Sequence, residues 1–372
     1  MDAEGATRIS QEAFDLAQSL SIEEFIGPAL ALQSLASSMA GNMNTAFELG
    51  ERALAQWIPG TRRGERALCL DQMATDRYWT GEYERALEYG QQAISFAEEI
   101  KSSDALLRTG PVHALTLTGM GRHEEALPRF EELIARGREF ELVPRLTART
   151  LNMSSALYRD LFQLDEATRR NQEAAELGAA AGFANAVLQS GIDLLFTDLA
   201  RGEVGRAEAR WPELWDRTQD TKGTHQWLMA GRLAEAKAEI ALAKGDHAEA
   251  ARLAQEAIDQ SRKVQRAKYE LAARLVLGRA LMALGQPERG IDELRVALDG
   301  IRRLGHPPTL WRAWSTLGTA LAQTARDDEA AAAAAAAANT LRTFAATLAP
   351  ERSGPLLAAE PSQEILSAAG SS

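Results

Sequence analysis

One alanine recurs along this chain like a ruler mark, at Ala46, Ala86, Ala126, Ala167, Ala207, Ala250, Gly290 and Ala330, in steps of 40, 40, 41, 40, 43, 40 and 40. Glycine stands five residues before most of the marks, at Gly41, Gly81, Gly121, Gly202, Gly245 and Gly285, with Phe162 and Ala325 in the remaining places. A fixed period of this length specifies stacked units, each burying its apolar face only against its neighbours. A single core seldom grows to serve 372 residues. A solenoid has no such limit.

The text around each mark reads as helix, tight turn, helix. The glycine supplies a left-handed conformation that closes the first helix without a Cβ clash. Acidic residues crowd the start of the second helix, among them Glu84, Glu124, Glu125, Asp165, Glu166, Glu249 and Glu288, where they face the positive end of the helix dipole. Pro287 suits a first helical position. Seven residues past the mark stand Ala53, Ala93, Ala174, Ala257, Ala297 and Ala337, with Leu133 and Leu214 as exceptions. Twelve before it stand Ser34, Ala74, Ala114, Ser155, Ala238, Gly278 and Gly318, with Leu195 as the exception. Small residues at matched heights let two helices approach to roughly 8–9 Å.

These three small positions match those of the tetratricopeptide repeat, and the chain resembles that family in a long variant of about forty residues. The resemblance implies an all-α, right-handed α-solenoid of antiparallel helix pairs acting as a binding scaffold. Pairs are expected at 25–40 and 43–57, 64–80 and 83–100, 103–120 and 123–139, and 144–161 and 164–180. They continue at 183–201 and 204–218, 223–244 and 247–263, 265–284 and 287–304, and 307–325 and 327–346.

Stepping the ruler back from Ala46 gives Ala6, so residues 1–22 read as a second helix without its first, a half repeat with Ile9, Ala13 and Leu16 left apolar and uncovered. That beginning suggests a solenoid cut from something longer. Eight pairs fill 23–349, and 350–372 read as a linker at Ser353-Gly354-Pro355 with a short terminal helix. The tail resembles those closing the repeat regions of bacterial signalling ATPases. Pro59, Pro111, Pro144, Pro307 and Pro308 are expected at junctions, and Pro212 inside a helix that it should kink. The alanine run Ala330–Ala338 favours a helix that packs thinly.

Net charge is −11 and no run of basic residues exceeds a pair, which argues against direct contact with nucleic acid. Cys69 is alone, so neither a disulfide framework nor a thiolate zinc site is available. No apolar run approaches the ~18 residues of a membrane span, so the expected chain is cytoplasmic, without membrane contact. There is no phosphate-binding glycine loop, no metal-binding histidine spacing and no nucleophile elbow. His123 and His247 hold the repeat position of Tyr83 and Leu164 and read as structural. The chain is therefore expected to be no enzyme and to need no cofactor or metal.

Two places remain for a ligand. Trp211, Trp215 and Trp227 could form an aromatic cluster between repeats, either as packing around Pro212 or as a pocket. The resemblance places the first helices on the concave face, with Asp71, Thr75, Tyr78, Arg108, Arg149, Asn152, Arg159, Gln189, Arg232, Glu235, Glu239 and Arg279 pointing inward. Of these, Arg108, Arg149, Asn152 and Arg159 come from adjacent repeats and could converge on an acidic group, since arginine forks grip carboxylates at two points. The alternative is a solvated face of internal ion pairs.

The expected partner is a protein or peptide with an acidic segment, or a small effector. The resemblance extends to repeat regions that follow the ATPase module in bacterial LuxR-type regulators and related signal-transduction ATPases. A free-standing adaptor and a peptide-binding quorum-sensing regulator are the other readings. The latter places a three-helix bundle before its repeats, for which the period leaves no room.

Overall fold

The computed structural model describes residues 3–139, 144–220 and 225–370. Among the described residues there are nineteen α-helices and no strand. An opening helix α1 (Ala3–Ser19) precedes the pairs α2 (Ile26–Met39) with α3 (Met43–Ala55) and α4 (Arg63–Thr80) with α5 (Tyr83–Glu99). Next come α6 (Ser103–Gly119) with α7 (His123–Glu139), and α8 (Pro144–Asp160) with α9 (Leu164–Ala180). The second half holds α10 (Ala184–Ala200) with α11 (Val204–Asp220), and α12 (Gln226–Ala243) with α13 (His247–Lys263). It ends with α14 (Ala267–Ala283) and α15 (Pro287–Leu304), α16 (Pro307–Gln323) and α17 (Asp327–Ala345), then α18 (Pro350–Ala358) and α19 (Glu360–Gly370). The expected start of α12 at 223 lies outside the described residues. No described helix is long and apolar enough to cross a membrane.

The ruler marks are packing contacts. Ala46, Ala86, Ala126, Ala167, Ala207 and Ala250 have no exposed surface, and neither do Ala53, Ala93, Ala174 and Ala337 seven residues on. The turn glycines adopt the left-handed conformation, with φ from +72° at Gly285 to +87° at Gly81. Phe162 and Ala325 take it as well, both at φ +55°. For a side chain this costs about 1–2 kcal/mol, while glycine gives back only ~0.5–1 in chain entropy. Ala325 is exposed, so Ala325→Gly should stabilise by ~0.5–1 kcal/mol. A denaturant midpoint at or below that of the parent would refute the strain.

The glycines of the first three repeats have a second use. A Cβ on Gly41 would lie 2.9 Å from Val264, one on Gly81 2.5 Å from Leu304, and one on Gly121 2.7 Å from Pro307. Beyond Gly202, Gly245 and Gly285 there is nothing within 4 Å. The superhelix therefore completes a turn and lays its second half on the turn edge of its first. Gly41 and Gly81 each meet a residue 223 positions further along, which is about five and a half repeats.

This seam is bonded along its length. Trp227 Nε1 donates to the Ser38 carbonyl at 3.1 Å, and Gln265 Nε2 to Asn44 Oδ1 at 2.8 Å. Further on, Arg352 forks onto Glu124, Ala349 N donates to the same carboxylate at 3.0 Å, and Gln163 Nε2 donates to the Glu351 carbonyl at 3.1 Å. One apolar cluster spans the seam, joining Phe130, Leu157 and Leu161 to Trp311, Leu341, Phe344 and Ile365. His123, fully buried, sets its ring edge-on to Phe344 at 5.0 Å.

Several local expectations change. Pro111 lies inside α6 and not at a junction, and Pro128 lies inside α7. Pro212 is within α11 as expected. Ser353, Gly354 and Pro355 belong to α18 rather than to a linker. Ala333, Ala337 and Ala338 are buried, yet a cavity of about 410 Å³ remains between α16, α17 and α19, because alanine cannot fill it. On α1, Ile9 and Leu16 are 47% and 59% exposed, while Ala13 is half-buried.

Candidate ligand-binding chamber

The first helices of the pairs line the inside of the superhelix, and closure of the seam turns their concave face into a chamber. A cavity of about 980 Å³ within it is bounded by α8, α10, α12, α14 and α16, with α19 across one end through Pro361, Glu364 and Ile365. Sites for small molecules are usually clefts of 300–1,000 Å³ with a few convergent polar groups. Arg159, Glu235, Glu239 and Arg279, expected to point inward, do line it.

Three of the expected residues converge on a carboxylate, and that carboxylate belongs to the chain. Asp193 on α10 accepts from Arg159 Nη1 at 2.8 Å, from Arg232 Nη2 at 2.5 Å and from Asn152 Nδ2 at 2.8 Å. Burial raises the Asp193 pKa, but Arg232 and Arg159 outweigh it and hold the group at about 2. Asn152 also donates to Asn171 Oδ1 at 2.9 Å. Arg108 turns back to Asp104 on its own helix, at 2.6 Å, and Arg149 donates to the Arg108 carbonyl at 2.9 Å. The three arginines and the asparagine expected from the sequence to grip a ligand are thus largely committed to internal partners.

The cations left uncommitted lie elsewhere. Arg312 on α16 stacks its guanidinium over Trp311 and Phe162, at 4.6 and 5.0 Å from the ring centroids, and lines the cavity. No carboxylate of the described residues lies within 4.0 Å of it or of half-buried Lys268. Burial depresses the Arg312 pKa and Arg159 adds to that, against the attraction of Asp160. Burial also works against the charge of Lys268, but Tyr78, Asp160 and Tyr269 together raise its pKa. The phenol of Tyr269 reports the local field. Burial raises its pKa, yet Arg232, Arg266 and Lys268 pull it below the usual tyrosine value. The middle of the chamber is electropositive within a chain of charge −11.

Carboxyl groups edge this field. Glu239 pairs with Arg279 at 3.1 Å. Glu235 has an Oε2 without a partner, and burial, helped by Glu239, pushes it up to about 7. Asp71 likewise has an unpartnered Oδ1 and rises to about 6 through burial, against Arg149 and Arg108. Tyr78 is half-buried with its ring 5.5 Å from Tyr83. Asp160 binds the seam, accepting from or facing His306 Nε2 at 3.1 Å and His123 Nε2 at 3.5 Å. Burial would raise its pKa, but His306, His123 and Lys268 carry it well below the ordinary carboxylate value.

The signal for Arg312 was present in the text. It stands eighteen residues before its mark, Ala330, as Arg108, Arg149 and Arg232 stand before theirs. Lys268 has no such equivalent. The tryptophans divide: Trp211 and Trp215 stack at 5.2 Å within the α10–α12 core, whereas Trp227 crosses to Trp79 and His225 in the seam. They form no common pocket.

No family model matches the sequence, and no curated protein matches it at the level of sequence. Solved structures do resemble the fold. A Rap protein complexed with Competence and Sporulation Factor superposes with TM-score 0.68 at 12% identity, over 93% of this chain and 94% of that one. The Rap conjugation gene regulator of plasmid pLS20, in complex with the Phr* peptide, gives 0.62 at 11% identity over 86% and 95%. Cut9 from the APC/C hetero-tetramer Cut9–Hcn1 gives 0.59 at 16% identity over 97% and 66%. The architecture is the TPR-like α-solenoid that these helical-repeat proteins share.

Proposed function

We propose that this chain is a non-enzymatic scaffold that binds an acidic peptide, or an acidic segment of a partner protein, inside the chamber. The observation that carries the reading is the pair Arg312 and Lys268, cations held partly out of water with no carboxylate within 4.0 Å among the described residues. Most arginines on the outer surface have one, as in Arg122 with Glu125 and Arg252 with Glu249. An unpaired charge removed from water is costly, and an anionic ligand would offset that cost with charge-assisted hydrogen bonds. Rigid helices on both sides hold the donors in place before the ligand arrives.

The likeness to Rap structures solved with a peptide or factor supports a peptide as the ligand class. Because the superposition covers 94% of the first Rap chain, the lack of room for an amino-terminal bundle is no ground for setting a peptide-responsive regulator aside. The wider context we infer is signalling, with the chamber as the sensor or interaction region of a bacterial transcription-regulatory ATPase, as the resemblance of its repeats and tail implies. Co-purification with an ATPase that its ligand releases or restrains would test that context separately.

The chamber itself is tested with a fluorescent, glutamate-rich extended decapeptide titrated against the full chain. Arg312→Ala and Lys268→Ala should each weaken binding about tenfold, ~1.5 kcal/mol per lost charged hydrogen bond. Arg108→Ala should leave it unchanged, since Asp104 already holds that group. Affinity should fall with added salt, the screening length being about 8 Å at ~0.15 M. Equal affinity in all three variants would remove the chamber as the site.

A further inference from the structure

The last two helices of the chain are held very differently. Helix α18 is bonded to the turn edge of the third and fourth repeats. Arg352 forks onto Glu124, Gln163 Nε2 donates to the Glu351 carbonyl at 3.1 Å, and Leu356 has no exposed surface. Helix α19 follows after one extended residue, Ala359, at φ −61° and ψ 140°. Ile365, 6% exposed, is the large side chain that α19 buries, and Leu366 beside it is half-buried. Against it lies the cavity of about 410 Å³, walled on the other side by Gly318, Ala330, Ala331 and Ala334. Ser362 is buried with a hydroxyl that has no hydrogen-bond partner.

The place that α19 occupies is the mouth of the chamber. The larger cavity lies at the carboxyl-terminal ends of the first helices and reaches Ala200, Gly202, Ala243, Ala283 and Gln323. This edge of the second half has no repeat stacked on it, for a Cβ at Gly202, Gly245 or Gly285 would meet nothing within 4 Å. Helix α19 crosses it instead, and two of the residues it sets there, Glu364 and Ile365, line the smaller cavity as well. The helix therefore stands between two voids. Its buried Ser362 hydroxyl regains a partner from water when the helix lifts. Segments with few buried apolar contacts occupy the low end of local stability, and lids turn on residues at the ends of elements.

We propose that α19 is the lid of the chamber. It swings out about Ala359 while α18 stays on the seam, and the ligand enters and leaves through the end it uncovers. Ile365 is the latch. The alanines opposite it keep the latch weak, because they leave the smaller cavity unfilled. A lid that must open for both passages sets the rates of binding and release together and leaves the affinity alone. The consequence for binding rests on the chamber being the ligand site, but the movement of the lid can be followed without a ligand.

The test times thiol labelling of the full chain by a charged methanethiosulfonate reagent. Ala272→Cys sets a reporter on the chamber wall, and Ala209→Cys sets one on the exposed outer face of α11. Cys69 stays silent, being buried with its pKa pushed up to about 12. Ile365→Ser should speed labelling of the chamber reporter at least fivefold. Ala334→Leu, which fills the smaller cavity, should slow it at least threefold. Neither should change the outer reporter by as much as twofold. Amide exchange in Ile365→Ser should quicken in α19 and not in α18. With the glutamate-rich decapeptide, the same variant should raise the association and dissociation rates by one common factor. Chamber labelling that ignores both substitutions, equal acceleration at both reporters, or exchange that quickens equally in α18 would each overturn the lid. A decapeptide that fails to bind a chain whose chamber labelling does follow α19 would sink the proposed function and support the lid.

Discussion

Trp311→Ala should destabilise the protein by ~3–5 kcal/mol, the usual cost of deleting a fully buried large aromatic. Trp311 is 1% exposed, the largest fully buried side chain of the described residues. Its ring lies 6.2 Å from that of Phe162, on the other superhelical turn, inside the cluster that joins the two halves. The indole nitrogen has no hydrogen-bond partner, so the substitution leaves no polar atom newly orphaned and the loss is one of packing. In an open solenoid each repeat touches only its neighbours, and a deletion is felt locally. Here it should loosen the seam as well. Amide exchange should accelerate at the end of α8 and in α18, a hundred and more residues from α16 in one direction. Trp215→Ala, half-buried and away from the seam, is the control. If the two variants melt together and α8 keeps its protection, the seam contributes no stability.

How far the text of the chain reaches can be judged at particular residues. The alanine marks and turn glycines were legible because one physical demand, close helix approach followed by a left-handed residue, recurs at fixed spacing. The junctions between one pair and the next make the same demand, met by glycine at Gly182 and Gly305 but elsewhere by other residues. Arg62, Lys101, His225 and Gln265 all sit at positive φ, and nothing in their residue type announces it. The seam was illegible for a related reason. Its contacts pair unlike residues, Gly41 with Val264, Gly81 with Leu304 and Gly121 with Pro307, and the step between them depends on superhelical pitch, the sum of many small rotations between repeats.

The concave register placed Arg159, Glu235 and Glu239 on the chamber, but register alone cannot say which arginine already has a partner. Asp193 decides that, and it was not among the residues singled out. The eighteen-residue offset of Arg108, Arg149 and Arg232 reaches Arg312 in the last repeat, but the inward set read from the sequence stopped at Arg279 and missed it.

The seam also predicts how stability follows pH. Asp76 is fully buried, accepts from Ser38 Oγ at 2.6 Å and Gln72 Nε2 at 2.8 Å, and keeps an Oδ2 with no partner. Burial outweighs those bonds and raises its pKa from 3.8 to about 7. A carboxyl raised in the folded state holds a proton that the unfolded chain has lost. Its stabilising effect is complete below the unfolded value near 4 and disappears as pH rises through 7. Asp71, raised to about 6, acts in the same direction. His225 and His306 act in the opposite one. Burial lowers both to about 4, so their contribution is present above the unfolded value near 6.5 and is lost as pH falls toward 4. Above pH 7 the unfolded histidines are mostly neutral, so the carboxyls prevail and stability should decline from there to pH 8.

Asp76→Asn isolates the largest share of that decline, because the amide retains an acceptor for Ser38 and Gln72 but never ionises. At 1.36 kcal/mol per unit of pKa, the variant's advantage over the parent should grow by about 2–3 kcal/mol between pH 5 and pH 8. Denaturant unfolding at the two values measures this directly. A gain of the same size at both would mean that Asp76 strains the seam by its shape, and that its charge has no part in it.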